Sequence, residues 1–222
     1  MFVGHLAVGF AAKRLAPKTS LGTLLIAAQF PDVLWSVFLI TGVEHARIVA
    51  GITAASPLEL YDFPISHSLV LDFVWAALFA GSYYLVRGYA RGAWVVLAAV
   101  LSHWFLDFVS HRPDMPIAPG LPGRYGLGVW NSVPLTLVAE GGIWAMGLAI
   151  YLRSTRANDR LGNNVFWPVI VLLTGIWIGS VVGSPPPSVL AVAFSNVALL
   201  PVFAWAFWLD RHRPIRPELV GD

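Results

Sequence analysis

The stretch GAWVVLAAVLSHWFLDFVS, which runs from Gly92 to Ser110, decides the fold of this 222-residue chain. It is long and apolar enough to cross the hydrocarbon core of a bilayer, which takes about 20 helical residues. Yet it contains His103 and Asp107, and His111 follows it directly. The four-residue spacing places these three side chains on one face of an α-helix. Ionisable groups are costly in hydrocarbon unless they are paired or bound to something. A divalent metal ion would satisfy all three, so this stripe is the predicted functional centre.

The composition of the whole chain is typical of a membrane protein. Hydrophobic residues make up 57% of it and charged residues 12%, with a mean hydropathy of +0.71. The charged share is roughly half that of a soluble domain. No linker or low-complexity segment divides the chain, so we expect residues 1–222 to form one helical membrane domain. The basic residues lie in short loops beside apolar segments, which argues against nucleic-acid binding.

The absence of cysteine limits the metal chemistry that is available. Neither disulfides nor thiolate metal sites can form in this chain. Any metal must be held by imidazole and carboxylate groups, which suit zinc, manganese or iron better than copper(I).

Six segments are long enough to span a bilayer, which predicts an all-α, polytopic membrane protein with six transmembrane helices. A seventh apolar segment, Phe2–Ala12, is too short to span and is expected to form a half-helix or an interfacial anchor. Proline-rich breaks such as Ser184–Pro187 separate the segments. The predicted spans are Leu21–Thr41, Ser66–Val86, Gly92–Ser110, Val133–Leu152, Val165–Val182 and Val189–Leu209.

Basic residues are distributed unevenly across the predicted membrane. Of the 14 lysines and arginines, all except Arg47, Arg112 and Arg124 fall on one side. Lysine and arginine concentrate on the cytoplasmic side of membrane proteins. We therefore expect both termini to lie in the cytoplasm or near it, with three loops outside.

Ionisable residues from five separate segments are expected to share one depth, in the outer half of the membrane. At about 1.5 Å of rise per helical residue, Asp32 lies roughly 18 Å from the cytoplasmic start of its span. His103 lies about as deep, and His5 reaches the same layer if Phe2–Ala12 is inserted. Unrelated polar residues would not be expected to converge in this way. The predicted metal ligands are His5, Asp32, His67, His103, Asp107 and His111.

Further polar residues near this layer are candidates for catalysis and substrate binding. Asp72, Asp114 and Glu140 could act as a general base or orient the ligand imidazoles. Arg112 and Arg124 are among the few outer arginines and could hold a phosphate.

The ligand assignments have structural alternatives that the sequence leaves open. His103 and Asp107 could form a hydrogen bond that only packs helices together. Asp32 could cap a helix that is broken at Pro31. His67 could be an interfacial residue at the start of a helix.

The ordered set of short motifs resembles a known family. His5, Pro31-Asp32, Ser66-His67-Ser68 and Ser102-His103-x-x-x-Asp107 resemble the motifs of bacterial inner-membrane proteins described as metal-dependent hydrolases, one branch of which is LexA-regulated. The family's His-Arg-Gly before its Thr-His-Ser is replaced here by Tyr61-Asp62-Phe63-Pro64-Ile65. The resemblance implies a multi-pass protein of the bacterial inner membrane.

A more distant similarity connects His103 and Asp107 with zinc-dependent phospholipase C and the P1-type nucleases. It implies a centre of one to three divalent ions, with zinc as the expected metal, and a phosphoester substrate. The expected partners are the lipid bilayer and a small-molecule or lipid ester, and a homo-oligomer is compatible with the sequence.

Three functional hypotheses follow from these observations. The leading one is a membrane-embedded metal-dependent hydrolase whose pocket lies in the outer half of the bilayer. The alternative is a divalent metal or proton transporter that uses the same acids and imidazoles as a path. A transporter should carry ionisable groups through the full thickness, and the fifth and sixth predicted spans carry no charge before Asp210. The third hypothesis is a scaffold whose polar cluster only holds helices together.

Overall fold

The computed structural model describes residues 1–219, which are mainly helical. Within those residues, five helical segments are long and apolar enough to cross a membrane, and a bent pair of helices supplies a sixth. The predicted all-α polytopic fold is therefore confirmed. The five spans are Leu69–Arg87, Ala90–Ser110, Val133–Ser154, Leu161–Val182 and Val189–His212, and the last two each consist of two consecutive helices.

Short helices and hairpins accompany these spans. The helices are α1 (Val3–Leu15), α2 (Leu21–Ala28), α3 (Phe30–Thr41), α4 (Pro64–His67), α5 (Leu69–Arg87), α6 (Ala90–Ser110), α7 (Val133–Ser154), α8 (Leu161–Asn164), α9 (Phe166–Val182), α10 (Val189–Val197) and α11 (Leu200–His212). The strands are β1 (His45–Ile48), β2 (Leu58–Asp62), β3 (Met115–Pro116) and β4 (Arg124–Tyr125), and 3₁₀ turns cover Val129–Asn131 and Pro217–Leu219. β1 pairs with β2, and β3 pairs with β4; both pairs are antiparallel.

The first predicted span is bent rather than straight. α2 and α3 meet at Gln29 and differ in direction by 58°. Pro31 lies in the first turn of α3, where its missing N–H group costs no helical hydrogen bond. The bend places Asp32 in the first turn of α3.

The second predicted span, Ser66–Val86, starts three residues before the long helix α5 does. Ser66 and His67 belong to the short helix α4, and Ser68 has an extended backbone between α4 and α5. Pro64 starts α4, in keeping with its preference for the first helical turn. Because of this interruption, His67 is the last residue of α4 and does not belong to the long helix α5.

The half-helix predicted at the N-terminus is α1, and it lies inside the bundle rather than at an interface. It packs against α2, α6, α7 and α9, and Leu6 and Phe10 are fully buried. Its contact with α7 is close because Gly147 has no side chain: a Cβ there would collide with the carbonyl oxygen of Ala7. The N-terminal end of α1 therefore reaches the interior, where it carries His5.

Candidate metal centre

The carboxylate of Asp107 is the point on which four imidazoles converge. Its Oδ2 atom lies 3.3 Å from Nε2 of His103, 3.7 Å from Nε2 of His67 and 3.7 Å from Nε2 of His111. Its Oδ1 atom lies 3.1 Å from Nε2 of His5. All five side chains are buried. The structure thus brings together predicted residues from α1, α4, α6 and the position after α6.

Asp32 joins the same cluster from the first turn of α3. Its Oδ1 atom lies 3.5 Å from Nε2 of His67 and 3.7 Å from Nε2 of His103. The two carboxylates of Asp32 and Asp107 therefore face the same two imidazoles. Donor atoms about 2.1 Å from a tetrahedral zinc ion are about 3.4 Å apart. The four His–Asp distances, 3.3 to 3.7 Å, are of this size. Two overlapping triads have ligand atoms that all lie within 4.8 Å of one another and could hold an ion: Asp32, His67 and His103, and His5, His103 and Asp107.

Each of the three histidines nearest to Oδ2 of Asp107 donates a hydrogen bond from its other ring nitrogen, Nδ1. Nδ1 of His103 donates to the carbonyl oxygen of Ala28 at 2.9 Å. Nδ1 of His67 donates to the hydroxyl oxygen of Ser66 at 2.7 Å, and Nδ1 of His111 donates to Asp114 at 3.0 Å. Metal-ligating histidines typically donate their other ring N–H in this manner, which leaves Nε2 free to bind.

Two buried ring nitrogens of the cluster have no hydrogen-bond partner in the described part of the chain. They are Nε2 of His103 and Nδ1 of His5. The two rings stack with their centroids 3.6 Å apart, and the α-amino group of Met1 contacts Oδ1 of Asp107. Buried polar atoms without a partner are rare, and binding an ion is one way to satisfy them. A divalent cation would also neutralise the two carboxylates.

Glu44 supports His67 and was missed by the sequence analysis. The hydroxyl of Ser66 donates to Oε2 of Glu44 at 2.5 Å, while Oε1 accepts the backbone N–H groups of Ile65 and Ser66 at 2.6 and 2.9 Å. Glu44, Ser66 and His67 therefore form a continuous buried chain. Glu44 lies in the loop after α3, 22 positions before Ser66, so nothing local in the sequence pairs them.

Asp114 orients His111, and the two predicted phosphate-binding arginines contact Asp114. Nε of Arg112 donates to Oδ2 of Asp114 and Nη1 of Arg124 donates to its carbonyl oxygen, both at 3.3 Å. Neither arginine lines the cavity described below. The geometry favours a structural role for the arginines around Asp114, and their contact with a phosphate stays a prediction.

Glu140 is buried in the bundle, but its oxygens are already engaged. Oε1 accepts the backbone N–H groups of Phe2 and Gly4, and Oε2 accepts the indole N–H of Trp177 at 2.9 Å. Its negative charge thus satisfies N–H groups at the start of α1, which helices leave unpaired. These contacts indicate a structural role, and the role of Glu140 as a general base stays a prediction. Glu140 fixes the end of α1 that carries His5.

Asp72 lies on α5, apart from the converging atoms. It is buried, and neither carboxylate oxygen has a hydrogen-bond partner within residues 1–219. It does not line the cavity. Its predicted catalytic role stays a prediction that no contact supports.

A cavity of about 630 Å³ leads to the cluster, within the range of about 300–1,000 Å³ that is common for small-molecule sites. One part of its wall is polar and contains Asp32, His67, Asp107, His111 and Glu140. The remaining wall is mainly apolar and includes residues 55–58, parts of α9 and α10 and the start of α11. Four of the six predicted ligands therefore line a cavity with an apolar approach, whereas His5 and His103 do not line it.

Comparisons of this chain with protein-family models, with curated proteins and with solved structures give no match.

Proposed function

We propose that this protein is a membrane-embedded metal-dependent hydrolase that cleaves an ester, with phosphoesters as the first substrate class. One observation carries the proposal: Asp32 and Asp107 face two imidazoles at ligand-like spacing, and a hydrogen bond from Nδ1 orients each of these imidazoles. With Nδ1 engaged, Nε2 of each ring is directed at the two carboxylates, as in a metal site of this ligand type.

Asp32, His67, His103 and Asp107 are the residues that would hold the first ion. His111 and His5 lie on either side of Asp107 and would complete this centre or help to hold a second ion. A zinc-type ion lowers the pKa of a coordinated water molecule from about 15.7 towards about 7, which is the chemistry that the centre would gain when loaded.

Asp32 is the best candidate for the general base. Its side chain is 18% exposed, whereas that of Asp107 is 3% exposed, and it lines the cavity. Oδ1 faces the imidazoles, so the second oxygen is available to accept a proton from water. Asp32 is preferred to Glu140 in this role, because the oxygens of Glu140 already accept N–H groups.

The motif order supports the same conclusion. The residues around His5, Asp32, His67 and His103 resemble those of bacterial inner-membrane metal-dependent hydrolases, and we propose membership of that family. The distribution of lysine and arginine supports a location in the bacterial inner membrane with both termini on the cytoplasmic side.

Transport is less well supported than hydrolysis. Lys13 and Asp210 lie near the opposite end of α1 and pair with each other at 2.9 Å. A one-sided site that opens into a cavity favours an enzyme.

A hydrolysis assay tests the proposal. Purified protein is loaded with zinc in detergent and incubated with bis(para-nitrophenyl) phosphate and with phospholipid micelles. We expect hydrolysis, and we expect a chelator to abolish it. The variant Asp32→Asn should lower the rate of hydrolysis by about 100-fold or more. The matched surface variant Asp62→Asn should leave the rate unchanged. Equal activity in Asp32→Asn and in the unmodified protein would refute the role of Asp32, and absence of turnover on all phosphoesters and carboxylic esters tried would refute the hydrolase.

A further inference from the structure

The cavity lies between two groups of helices that pack against different partners. On one side, α9 packs against α7 and α1; on the other side, α10 packs against α3, and α11 packs against α2. Residues from both groups line the cavity, and a proline-rich segment, residues 183–188, connects them at one end. The cavity is thus a crevice between diverging segments rather than a hole within one tight bundle.

Apolar side chains of α9 form one side of the mouth of this crevice, whose exposed lining also includes Ser180, Ser184 and Ser195. Leu172 and Ile176 on α9 line it and are 57% and 50% exposed. Exposed apolar side chains on a membrane span face lipid, because water would disfavour them. Val192 and Val202 line the opposite side. The crevice is therefore continuous with the hydrocarbon of the bilayer.

The inner part of the crevice ends at the cluster of histidine and aspartate side chains around Asp107. Leu173 and Leu199 line it and are buried, and Asp32, His67 and Asp107 form its polar wall. Among the described residues, its lining includes no lysine or arginine. Apolar walls and carboxylates disfavour the entry of a small polyanion, because it would lose its hydration and meet like charges. The same apolar walls favour a hydrocarbon chain, because they remove it from water.

We propose that the substrate is a membrane lipid that enters sideways between α9 and α10. Its hydrocarbon chain lies along the crevice, and its ester or phosphoester group reaches the cluster at the inner end. This inference rests on the proposed function for the identity of the reacting group, but the placement of the chain is independent of catalysis. It assigns α9 and α10 a binding role that the metal ligands alone do not reveal.

Photo-crosslinking tests the placement without relying on turnover. The full-length protein is reconstituted in nanodiscs that contain phosphatidylglycerol with a diazirine close to the carbonyl end of one acyl chain, irradiated, and digested for mass spectrometry. We expect adducts at the buried wall residues Leu173 and Leu199, in addition to those at lipid-facing residues such as Val171. Adducts confined to lipid-facing positions would overturn the proposal.

Substitutions at the mouth provide the matched control. Ile176→Trp fills the crevice and should lower the yield of the inner adducts by about tenfold, and Leu172→Trp should do the same if the first variant is poorly produced. Val171→Trp lies on the same helix, is 68% exposed and does not line the crevice, so it should leave the yield unchanged. Equal yields in all three variants would contradict the proposal.

The metal content and phosphoester turnover of the same samples are read separately. Inner adducts in a protein without turnover would support the lipid crevice and contradict the hydrolase. Turnover of bis(para-nitrophenyl) phosphate without inner adducts would support the hydrolase and overturn the lipid crevice in favour of a soluble substrate.

Discussion

His103 and Asp107 lie one turn apart on α6, and Nε2 of His103 is 3.3 Å from Oδ2 of Asp107 while its Nδ1 donates to the carbonyl oxygen of Ala28 at 2.9 Å. The hydrogen bond from Nδ1 fixes the ring to the end of α2, which packs against α6. The bend follows directly after Ala28 and places Asp32 within 3.7 Å of the same imidazole. The bent first span and the ligand on the third are thus parts of one arrangement.

Zinc should stabilise the protein against thermal unfolding. Asp32 and Asp107 are two acids within 4 Å of shared imidazoles, and a bound dication would offset their mutual repulsion. At a free zinc concentration about 100 times the dissociation constant, the gain in unfolding free energy is about 2.7 kcal/mol. Differential scanning fluorimetry with and without chelator measures it. Asp107→Asn should show no zinc-dependent change, and a shift of equal size in that variant would place the zinc elsewhere.

Ser66→Ala should weaken metal binding without removing a ligand. The substitution breaks the buried chain from Glu44 to His67, and loss of such an outer partner typically costs about 10- to 100-fold in metal affinity. Competition with a fluorescent zinc chelator measures the affinity. Ser68→Ala is the matched control, since its hydroxyl is buried and has no hydrogen-bond partner in residues 1–219. If both variants bind zinc like the unmodified protein, the chain does not orient His67.

Glu140→Gln separates a structural role from a catalytic one. Glutamine keeps the size of the side chain but loses the charge that accepts N–H groups at the start of α1, so we expect a loss of about 1–2 kcal/mol in unfolding free energy. Turnover measured at a temperature where the variant is folded should remain within about tenfold of the unmodified value. A protein of full stability with turnover abolished would favour Glu140 as the general base.

Gly147→Ala should disturb the contact between α1 and α7. Its new Cβ would collide with the carbonyl oxygen of Ala7, and overpacking of this kind costs about 1–3 kcal/mol. Gly142→Ala on the same helix is the control, because a Cβ there meets nothing within 4 Å and alanine favours the helix. Thermal unfolding in detergent compares the two. Equal stability of both variants would show that α1 is not held as closely as described.

Much of the fold follows from local sequence. Runs of about 20 apolar residues mark the spans, and the short run before Lys13 and Arg14 marks the half-helix. The bend at Gln29 is less evident from the sequence, because Pro31 is compatible both with one continuous membrane span and with the start of a new helix. The hairpin of β1 and β2 was missed, since its short strands lie in a loop without a clear alternating pattern.

The site was partly predictable for a different reason. Ionisable residues in hydrocarbon must meet partners, so shared depth indicated that His5, Asp32 and His67 approach α6. Depth does not specify which atoms meet. Glu140 binds N–H groups of Phe2 and Gly4, which lie more than 130 positions away in the chain, and Glu44 comes from a loop. Such partners depend on tertiary packing, so their supporting roles could not be read from spacing.

Elemental analysis of the purified protein tests the central claim most directly. Samples are loaded with zinc, dialysed, and compared with His103→Ala and with His45→Ala, whose imidazole is exposed and pairs with Asp62. The account predicts at least one tightly bound zinc ion per chain in the unmodified protein and in His45→Ala, and loss of that ion in His103→Ala. Retention of the same zinc content in His103→Ala, or absence of bound metal in all three, would contradict it.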